Sequence, residues 1–371
     1  MTNIENIIRD ALGAIPKEDF GTPLEKLGID SIDLVTLRVN LDSETGHEIS
    51  DQHWLNIQTL GELVDYYQKK VSGAGAAGVA VHSEAGKKRY IINMPQMALG
   101  GLSENWLFKE TGDFHWHSLC TGLNEKSSSI EDEVGNRLYA TFVRIRWESN
   151  THLRGFLENE AIDMSSEMTR FGKGMYFSDL QIASERGKAI HMKLMTTFSF
   201  REHSDNSKLA KGQPASKNIS IKEMPALPDF GEEYRSFRKG EIREVVLQDI
   251  VFPVQDDSLW QMEYDIHPYI DLNGVNLLYF AAYPTISDYC EAKYFNREYV
   301  QAGELWADKA FTCARDIFYM ANCNLTETII FKLHYFEKIS GNRVKISTSL
   351  SRKSDGKVLA HIFTIKAFTS V

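Results

Sequence analysis

The chain lacks the patterns that indicate disulfide frameworks, zinc sites, serine hydrolases and membrane spans. Its four cysteines show no CxxC spacing, so we expect neither a disulfide-rich fold nor a bound metal. No GxSxG motif occurs, which argues against a serine hydrolase of the usual kind. No run of about 18 apolar residues is present, and the first residues lack the basic-then-apolar pattern of a secretory signal. We therefore expect a cytoplasmic protein that does not enter a membrane.

Positive charge is also scarce, and it is unevenly distributed. The 371 residues hold 41 basic and 51 acidic side chains, which is a net charge of −10. Residues 1–72 carry −7 of this charge, and the much larger remainder carries −3. Nucleic-acid binding is not expected, because a phosphate backbone is bound by a basic surface. A small acidic domain beside a nearly neutral one instead suits docking on basic patches of partner proteins.

The most informative segment that is present is Leu27–Leu34, which has the sequence LGIDSIDL. Gly28 permits a tight turn, and Asp30 or Ser31 is a suitable N-cap for the helix expected over Ile32–Leu41. A serine at this place lies near exposed N–H groups and the positive end of the helix dipole, where an attached phosphate is favoured. The residues alone leave open that the Asp-Ser pair only caps a helix.

This segment resembles the phosphopantetheine attachment site of acyl carrier proteins. The resemblance makes Ser31 the attachment residue for 4′-phosphopantetheine and a phosphopantetheinyl transferase the partner that adds it. It implies a small all-α four-helix carrier bundle over residues 1–71. The apolar residues that indicate its first and closing helices are Ile4, Ile7, Ile8, Leu12, Leu60, Leu63, Val64 and Tyr67.

Residues 72–88 differ sharply in composition from their surroundings, being rich in glycine, alanine and serine. They predict a flexible linker with an r.m.s. span of roughly 20–25 Å. Residues 73–78 match the GxGxxG dinucleotide motif by letter, but the match follows a helix rather than a strand, so we reject that function. Such a tether would hold a carrier near its neighbour at on the order of millimolar concentration.

Beyond the linker, one pattern occurs twice: a helix followed by long alternating strands. The helices are expected over Ser103–His117 and Asn276–Phe295, and Pro284 is expected to kink or divide the second. The predicted strands are Leu138–Trp147, Gly155–Met164, Gly174–Ala183, Lys188–Phe200, Thr328–Glu337, Arg343–Arg352 and Val358–Thr369. Residues 203–241 are polar and contain proline, and we interpret them as an irregular excursion. Periodicity alone supports an antiparallel α+β fold of two similar units.

Two stretches resemble the entries to the units of a double hotdog, an α+β fold whose antiparallel sheets wrap around central helices. They are Met94–Leu107, which is followed by Gly112-Asp113, and Asp271–Phe280. Both are similar to the bifunctional acyltransferase/decarboxylases of polyketide assembly lines, first known from the leinamycin pathway. The second is also similar to the Asp-x-Asn-x-His-x-Asn motif of hotdog thioesterases, with Val275 at the usual histidine position. The resemblance covers most of residues 90–371 and implies hotdog units over 89–240 and 241–371.

This family decarboxylates a malonyl- or methylmalonyl-type thioester of coenzyme A and loads the acetyl or propionyl group on an acyl carrier. The resemblance therefore implies an acyl-CoA substrate, the chain's own or another carrier domain as acceptor, and polyketide synthase modules as partners. Decarboxylation leaves negative charge on the thioester oxygen, so the site needs hydrogen-bond donors in a dry pocket.

Asn273, Gly274 and Asn276 are the candidate donors, because they are expected just ahead of the second helix. Tyr139 is the best match to the tyrosine that family members are thought to use near the first sheet. The reference pKa of a phenol is about 10, which makes it a poor nucleophile at neutral pH. Tyr139 is therefore favoured as a hydrogen-bond donor over an acyl-carrying residue.

Several alternatives stay open. The segment Asp271–Asn276 could only turn the chain into the helix, and Tyr139 could be one aromatic among many in a strand. The protein could be a hotdog thioesterase or dehydratase acting on the fused carrier, although Val275 weakens the dehydratase hypothesis. It could also be a non-catalytic protein that binds and presents acyl carriers. His115 and His117 could form a metal pair, but no third ligand stands out.

Overall fold

The computed structural model describes residues 4–72 apart from 14, 28, 30, 46, 48, 50–53 and 55–56, and residues 86–368 apart from 203–204, 218 and 302–303. The chain divides into two compact units, residues 1–81 and 82–371. Gly28, Asp30 and most of the predicted linker lie outside the described residues. The domain boundaries proposed at 71/72, 88/89 and 240/241 stay predictions.

The first unit is helical. Its helices are α1 Ile4–Leu12, α2 Ser31–Thr45 and α3 Leu60–Ser72. Their apolar residues pack into one core that includes Ile8, Leu37, Leu41, Leu63 and Tyr67. The first and closing helices therefore lie where the sequence predicts them. The predicted fourth helix is not shown, because much of the segment between α2 and α3 lies outside the described residues.

The second unit is built on a large antiparallel sheet. The strands along its main path are β1 Lys87–Ile91, β4 Tyr139–Ser149, β5 Ala161–Phe171, β6 Met175–Ser184, β7 Ala189–Glu202, β12 Trp260–Asp265, β13 Ala310–Tyr319, β14 Thr328–Ile339, β15 Arg343–Arg352 and β16 Val358–Phe368. The strands outside this path are β2 Met97–Ala98, β3 Gly101–Leu102, β8 Asp205–Lys211, β9 Lys222–Glu223, β10 Glu244–Leu247 and β11 Ile250–Pro253. The remaining helices are α4 Glu104–Leu123, α5 Asp229–Arg238, α6 Pro268–Asp271, α7 Ala282–Glu298 and α8 Trp306–Lys309.

The sheet repeats one strand order. It runs β1-β5-β6-β7-β4 and then β13-β16-β15-β14-β12. Each half contributes five strands to this path. If they are numbered one to five along the chain within each half, both halves have the order 1-3-4-5-2 from the outer edge to the middle of the sheet. The halves meet where β4 pairs with β13 in antiparallel register. In each half a bulge follows an equivalent cross-strand pair, Phe142 with Thr196 and Thr312 with Lys366. The two halves are therefore related residue by residue at this point.

A buried ion pair joins the halves at their meeting point. The guanidinium of Arg144 on β4 donates to both carboxylate oxygens of Asp316 on β13, at 3.0 and 2.7 Å. Neither side chain is exposed. Phe230 and Phe237 of α5 pack over this region against Phe318. Because this bidentate pair is excluded from water, it contributes to a fixed register between the halves.

One long helix precedes the second strand of each half. Helix α4 begins after Ser103, whose hydroxyl caps the N–H of Trp106 at 3.2 Å, and it continues past the predicted end to Leu123. The second central helix, α7, begins at Ala282, six residues later than predicted. Pro284 therefore lies in its first turn, where no intrahelical N–H bond is needed, and the predicted kink there is wrong.

Other parts of the sequence interpretation also need correction. Residues 203–241 are not simply irregular, since they contain strand β8 and helix α5. The predicted strand Gly155–Met164 lies later, at Ala161–Phe171, because residues 153–155 form a 3-10 turn. Strands β12 and β13 were not predicted.

Candidate active site

A cavity of about 370 Å³, the first pocket, opens beside the turn that precedes α7. It is bounded by the start of β4, the end of β7, strand β8, helix α5 and the residues that follow β13. Its polar lining residues are Thr141, Thr197, Ser199, Ser207, Asn273 and Asn322. Its apolar and aromatic lining residues include Phe142, Val143, Leu277, Leu278, Phe280, Tyr283 and Tyr319. This volume and composition are typical of a small-molecule site.

The turn beside the pocket closes over Asn273–Asn276. The side-chain oxygen of Asn273 accepts hydrogen bonds from the N–H groups of Val275 and Leu277 at 3.1 and 3.0 Å. Asn276 has a φ of 61°, a left-handed conformation that asparagine tolerates well. Leu272 and Leu278 form a bridge across the turn. This turn separates the motif from the helix, which explains why α7 begins later than its sequence pattern predicts.

The turn is also held by the first half of the sheet. The guanidinium of Arg201 on β7 donates to the carbonyl of Val275, and the amide of Asn206 on β8 donates to the carbonyl of Asn276. The ring of Tyr139 lies 5.1 Å from the guanidinium carbon of Arg201. The structure thus brings the three predicted residues of this unit into one neighbourhood.

The three residues contribute to that neighbourhood in different ways. Asn273 lines the pocket, and because its oxygen is occupied within the turn, its NH₂ group is the part that remains for a ligand. Tyr139 is half-buried next to the lining residue Ala140 and does not itself line the pocket. The side chain of Asn276 is exposed outside the lining. The roles assigned to these residues stay predictions.

The inner end of the pocket adjoins α4. Phe142 packs against Phe280 with ring centroids 4.2 Å apart and against the imidazole of His115 at 5.4 Å. His115 is fully buried, and its two ring nitrogens each lie 2.8 Å from a hydroxyl, those of Ser178 and Thr196. Burial lowers the pKa of His115 to about 3, so the imidazole is neutral at physiological pH.

The outer rim of the pocket is cationic. Lys211, Arg238 and Lys357 line it and are exposed, and none forms an ion pair with a carboxylate of the described residues. No aspartate or glutamate is found among the pocket's described lining residues. The first pocket therefore attracts anions, and its lining, as far as the structure describes it, offers no carboxylate that could act as a general base.

A smaller cavity of about 140 Å³, the second pocket, lies at the equivalent place in the other half. It is bounded by the turn and start of α4, the start of β13, the end of β16 and the residues that follow β4. Leu99 and Gly100 form its tight turn, with φ values of 53° and 76°. Thr312 and Lys366 here occupy the positions equivalent to Phe142 and Thr196.

The second pocket borders a buried network of charges. Arg315 donates to Glu104 at 2.8 and 2.9 Å and to Asp288 at 2.9 Å. Lys366 donates to Asp288 at 2.9 Å and to Glu291 at 2.6 Å. Burial raises the pKa of Glu104 and of Glu291, whereas the nearby Arg315 and Lys366 outweigh burial and lower the pKa of Asp288. Two cations thus serve three carboxylates, and each carboxylate has at least one cationic partner.

Comparison with known proteins gives each unit a relationship. The family model of the phosphopantetheine attachment site matches residues 3–67. An acyl carrier protein from Thermotoga maritima is 32% identical over 72 residues, which cover 19% of this chain and 89% of that protein. The N-terminal unit is an acyl carrier domain. Its cofactor is 4′-phosphopantetheine carried on a serine, and the assignment of that serine as Ser31, the first residue of α2, stays a prediction.

The remainder of the chain is similar to solved hotdog structures. One described as an oleoyl thioesterase from Lactobacillus plantarum has a TM-score of 0.55 at 9% identity, covering 79% of this chain and 99% of that chain. The 12:0-ACP thioesterase from Umbellularia californica has a TM-score of 0.48 at 9% identity, covering 76% of this chain and 97% of that one. The unit that follows the carrier domain therefore has a hotdog fold.

Sequence reasoning missed several residues of the hotdog pocket. Thr197, Ser199 and Arg201 alternate with phenylalanines along β7, and this period of two was the available signal for a polar strand face. The rim cations come from three distant segments, so no local pattern could group them. His115 and His117 lie on α4, and the described residues contain no cluster suited to a metal ion. None of the described helices has the length and apolar character needed to cross a bilayer.

Proposed function

We propose that the chain decarboxylates a malonyl- or methylmalonyl-type thioester of coenzyme A in the first pocket and loads the acetyl or propionyl product on an acyl carrier. The observation that carries this proposal is the charge of the pocket: three exposed rim cations and no carboxylate among the described lining residues. A substrate that bears its own carboxylate needs no general base for decarboxylation. Thioester hydrolysis, in contrast, requires a group that activates water.

Decarboxylation requires hydrogen-bond donors to the enolate oxygen rather than a general base. The bond between the α-carbon and the free carboxylate breaks, carbon dioxide leaves, and the electron pair forms a thioester enolate. The α-carbon then takes a proton from water. The enolate oxygen needs hydrogen-bond donors in a site with little water. The NH₂ group of Asn273 is the proposed donor, with Tyr139 and Asn276 as further candidates from the same neighbourhood.

Transfer then moves the acyl group between two thiols. The thiolate of the phosphopantetheine arm attacks the thioester carbonyl, the bond to the coenzyme A sulfur breaks, and that sulfur leaves as the thiolate. We propose that the arm on Ser31, or that of another carrier, is the acceptor. The exposed cations Lys211, Arg238 and Lys357 would attract the phosphates of coenzyme A and the acidic surface of carriers. A phosphopantetheinyl transferase and polyketide synthase modules are the further partners proposed.

Intact-mass measurement of the holo-protein tests this function. The phosphopantetheinylated full chain is incubated with malonyl-, methylmalonyl- or acetyl-CoA. We expect an acetyl or propionyl group on the arm from the two carboxylated substrates. The Ser31→Ala variant should gain none, and Asn273→Ala should react at least about tenfold more slowly, because one transition-state donor is lost. An arm that keeps the malonyl carboxylate, or no transfer at all, would contradict the proposal.

Thioester hydrolysis is the second candidate function, and Glu104 and Asp288 beside the second pocket are the observation that favours it. Both carboxylates are engaged by Arg315. Arg315 and Lys366 hold the pKa of Asp288 below its ordinary value despite burial, which reduces its strength as a base. The same incubation separates the two functions, since a thioesterase releases free acid and leaves a bare arm. Replacing Asp288 with asparagine should stop hydrolysis without stopping decarboxylation.

A further inference from the structure

The first pocket has a closed inner end. Its rim carries the exposed cations, whereas Phe142 and Phe280 lie at the opposite side against the central helix α4. The two rings are in contact, with centroids 4.2 Å apart. The cavity of about 370 Å³ is near the lower end of the range for ligand sites. Part of it must hold the end of the pantetheine arm, so little space is left for the acyl group.

The two phenylalanine rings form a wall of the cavity that cannot move back toward helix α4. Phe280 lies directly over Gly112 of α4, and a Cβ atom at Gly112 would come within 2.3 Å of the ring's Cζ. Phe108, one turn earlier on the same helix, stacks with Phe280, and the ring centroids lie 6.4 Å apart. Phe142 is backed by His115, whose ring is fixed by hydrogen bonds to two strands. Close packing of this kind resists displacement.

We infer that Phe142 and Phe280 limit the length of the acyl group the pocket accepts, and that Gly112 sets the position of Phe280. This inference rests on the proposed function, because it assumes that the first pocket holds the acyl end of a thioester. Because Gly112 has no side chain, the ring of Phe280 can pack directly on helix α4. Any side chain there would push the ring toward the cavity, whereas a smaller side chain at position 280 would deepen the cavity.

The test is a binding series that needs no reaction. The ethyl, butyl, octyl and dodecyl thioethers of coenzyme A are titrated calorimetrically into the full-length holo-protein. We expect affinity to rise from ethyl to butyl and to fall at least about tenfold at octyl. Phe280→Leu should restore octyl binding at least about tenfold, because the wall recedes. Gly112→Ala should weaken butyl binding about tenfold and leave ethyl binding nearly unchanged, because the ring advances.

Two controls keep the outcome clear. Far-ultraviolet circular dichroism and thermal unfolding show whether each variant folds, and Phe142→Leu provides a second enlargement if Phe280→Leu does not fold. Octyl binding as tight as butyl binding in the unaltered protein would overturn the inference, as would an unchanged series in both enlarged variants. Thioethers cannot be decarboxylated or transferred. A protein that shows the expected length limit but fails in the mass measurement therefore contradicts only the proposed function.

Discussion

The two pockets occupy equivalent positions in the two halves of the sheet and differ mainly in how they use charge. In the first, Phe142 and Thr196 form the cross-strand pair next to the bulge, and the cations are exposed at the rim, in no salt bridge of the part of the chain that the structure describes. In the second, Thr312 and Lys366 form that pair, and Lys366 is buried between two carboxylates. A cation held by buried carboxylates is not available to a substrate. The same scaffold position thus carries a neutral pair in one half and part of a buried ionic network in the other.

Removing the cation of the second pocket should have the largest effect on stability. The Lys366→Met variant leaves Asp288 and Glu291 without their shared buried cation, which should lower the free energy of unfolding by about 3–5 kcal/mol. Urea denaturation measures the change. The control Lys353→Met removes a lysine from the exposed pair with Glu263, where the loss should stay below about 1 kcal/mol. Equal losses in the two variants would show that the buried network does not stabilise the second pocket.

Removing the rim cations should instead affect binding and leave stability nearly unchanged. Replacement of Lys211, Arg238 and Lys357 by glutamine should raise KM for a coenzyme A thioester about fivefold for each residue. The triple variant should also show a weaker dependence of KM on salt. Arg89→Gln, an exposed change on the edge strand β1, is the control. A triple variant with unaltered KM would place the substrate elsewhere.

The neutral imidazole behind the first pocket should make stability depend on pH. The pKa of His115 is about 3 in the folded protein and about 6.5 in the unfolded chain, so only the unfolded chain takes up a proton between these values. The free energy of unfolding should therefore fall with decreasing pH below 6.5, by about 1.4 kcal/mol per pH unit.

The variant His115→Gln keeps a hydrogen-bond donor and an acceptor for Ser178 and Thr196. It should remove the contribution of His115 to the dependence of the free energy of unfolding on pH. Urea denaturation at pH 7 and pH 5 measures it, with His117→Gln as the control for loss of an exposed imidazole of the same helix. A slope between these pH values that His115→Gln leaves unaltered would show that the buried imidazole does not carry it.

The smallest effect concerns the turn beside the first pocket. Asn276→Ala removes the amide that lets asparagine tolerate a left-handed backbone and should lower the free energy of unfolding by about 1 kcal/mol. Asn276→Gly should change it by less than about 0.5 kcal/mol, because glycine adopts this conformation without strain. The transfer activity of the two variants then distinguishes a conformational role of Asn276 from a direct role of its amide. If Asn276 acts only through its conformation, the glycine variant keeps the transfer activity. Loss of activity in both variants would assign a role to the exposed amide itself.

The sequence predicted most strands of the sheet from the alternation of their residues, which β6 shows clearly. The two central helices lack a clear amphipathic stripe, and each was predicted with one end displaced by six residues, α4 at its C-terminus and α7 at its N-terminus. Strand β13 was missed because all ten of its residues are buried and no alternation is visible. Arg315 and Asp316 within it argue against a buried strand until their partners Glu104 and Arg144 are known. Ion-pair partners that are distant in the sequence cannot be recognised from the residues around either one.

The candidate site could be predicted only where one short segment carries it. Asn273 was found because its motif is contiguous, and the structure places it in the lining of the first pocket. The delayed start of α7 could not be foreseen, because the apolar residues Leu277–Phe280 continue the helical pattern into the turn. The distinction between the two pockets depends on which side chains pair across the sheet. Such pairing is a tertiary property.

The seam between β4 and β13 has a consequence for dissecting the protein. The two hotdog halves share one hydrogen-bonded sheet and the buried pair of Arg144 and Asp316. Cutting the chain between them would leave each fragment with an unpaired strand edge, and Arg144 and Asp316 would each lose a buried partner. Unpaired strand edges of this kind favour aggregation. The carrier can be studied apart from the rest. The halves of the hotdog unit should be expressed together or not at all.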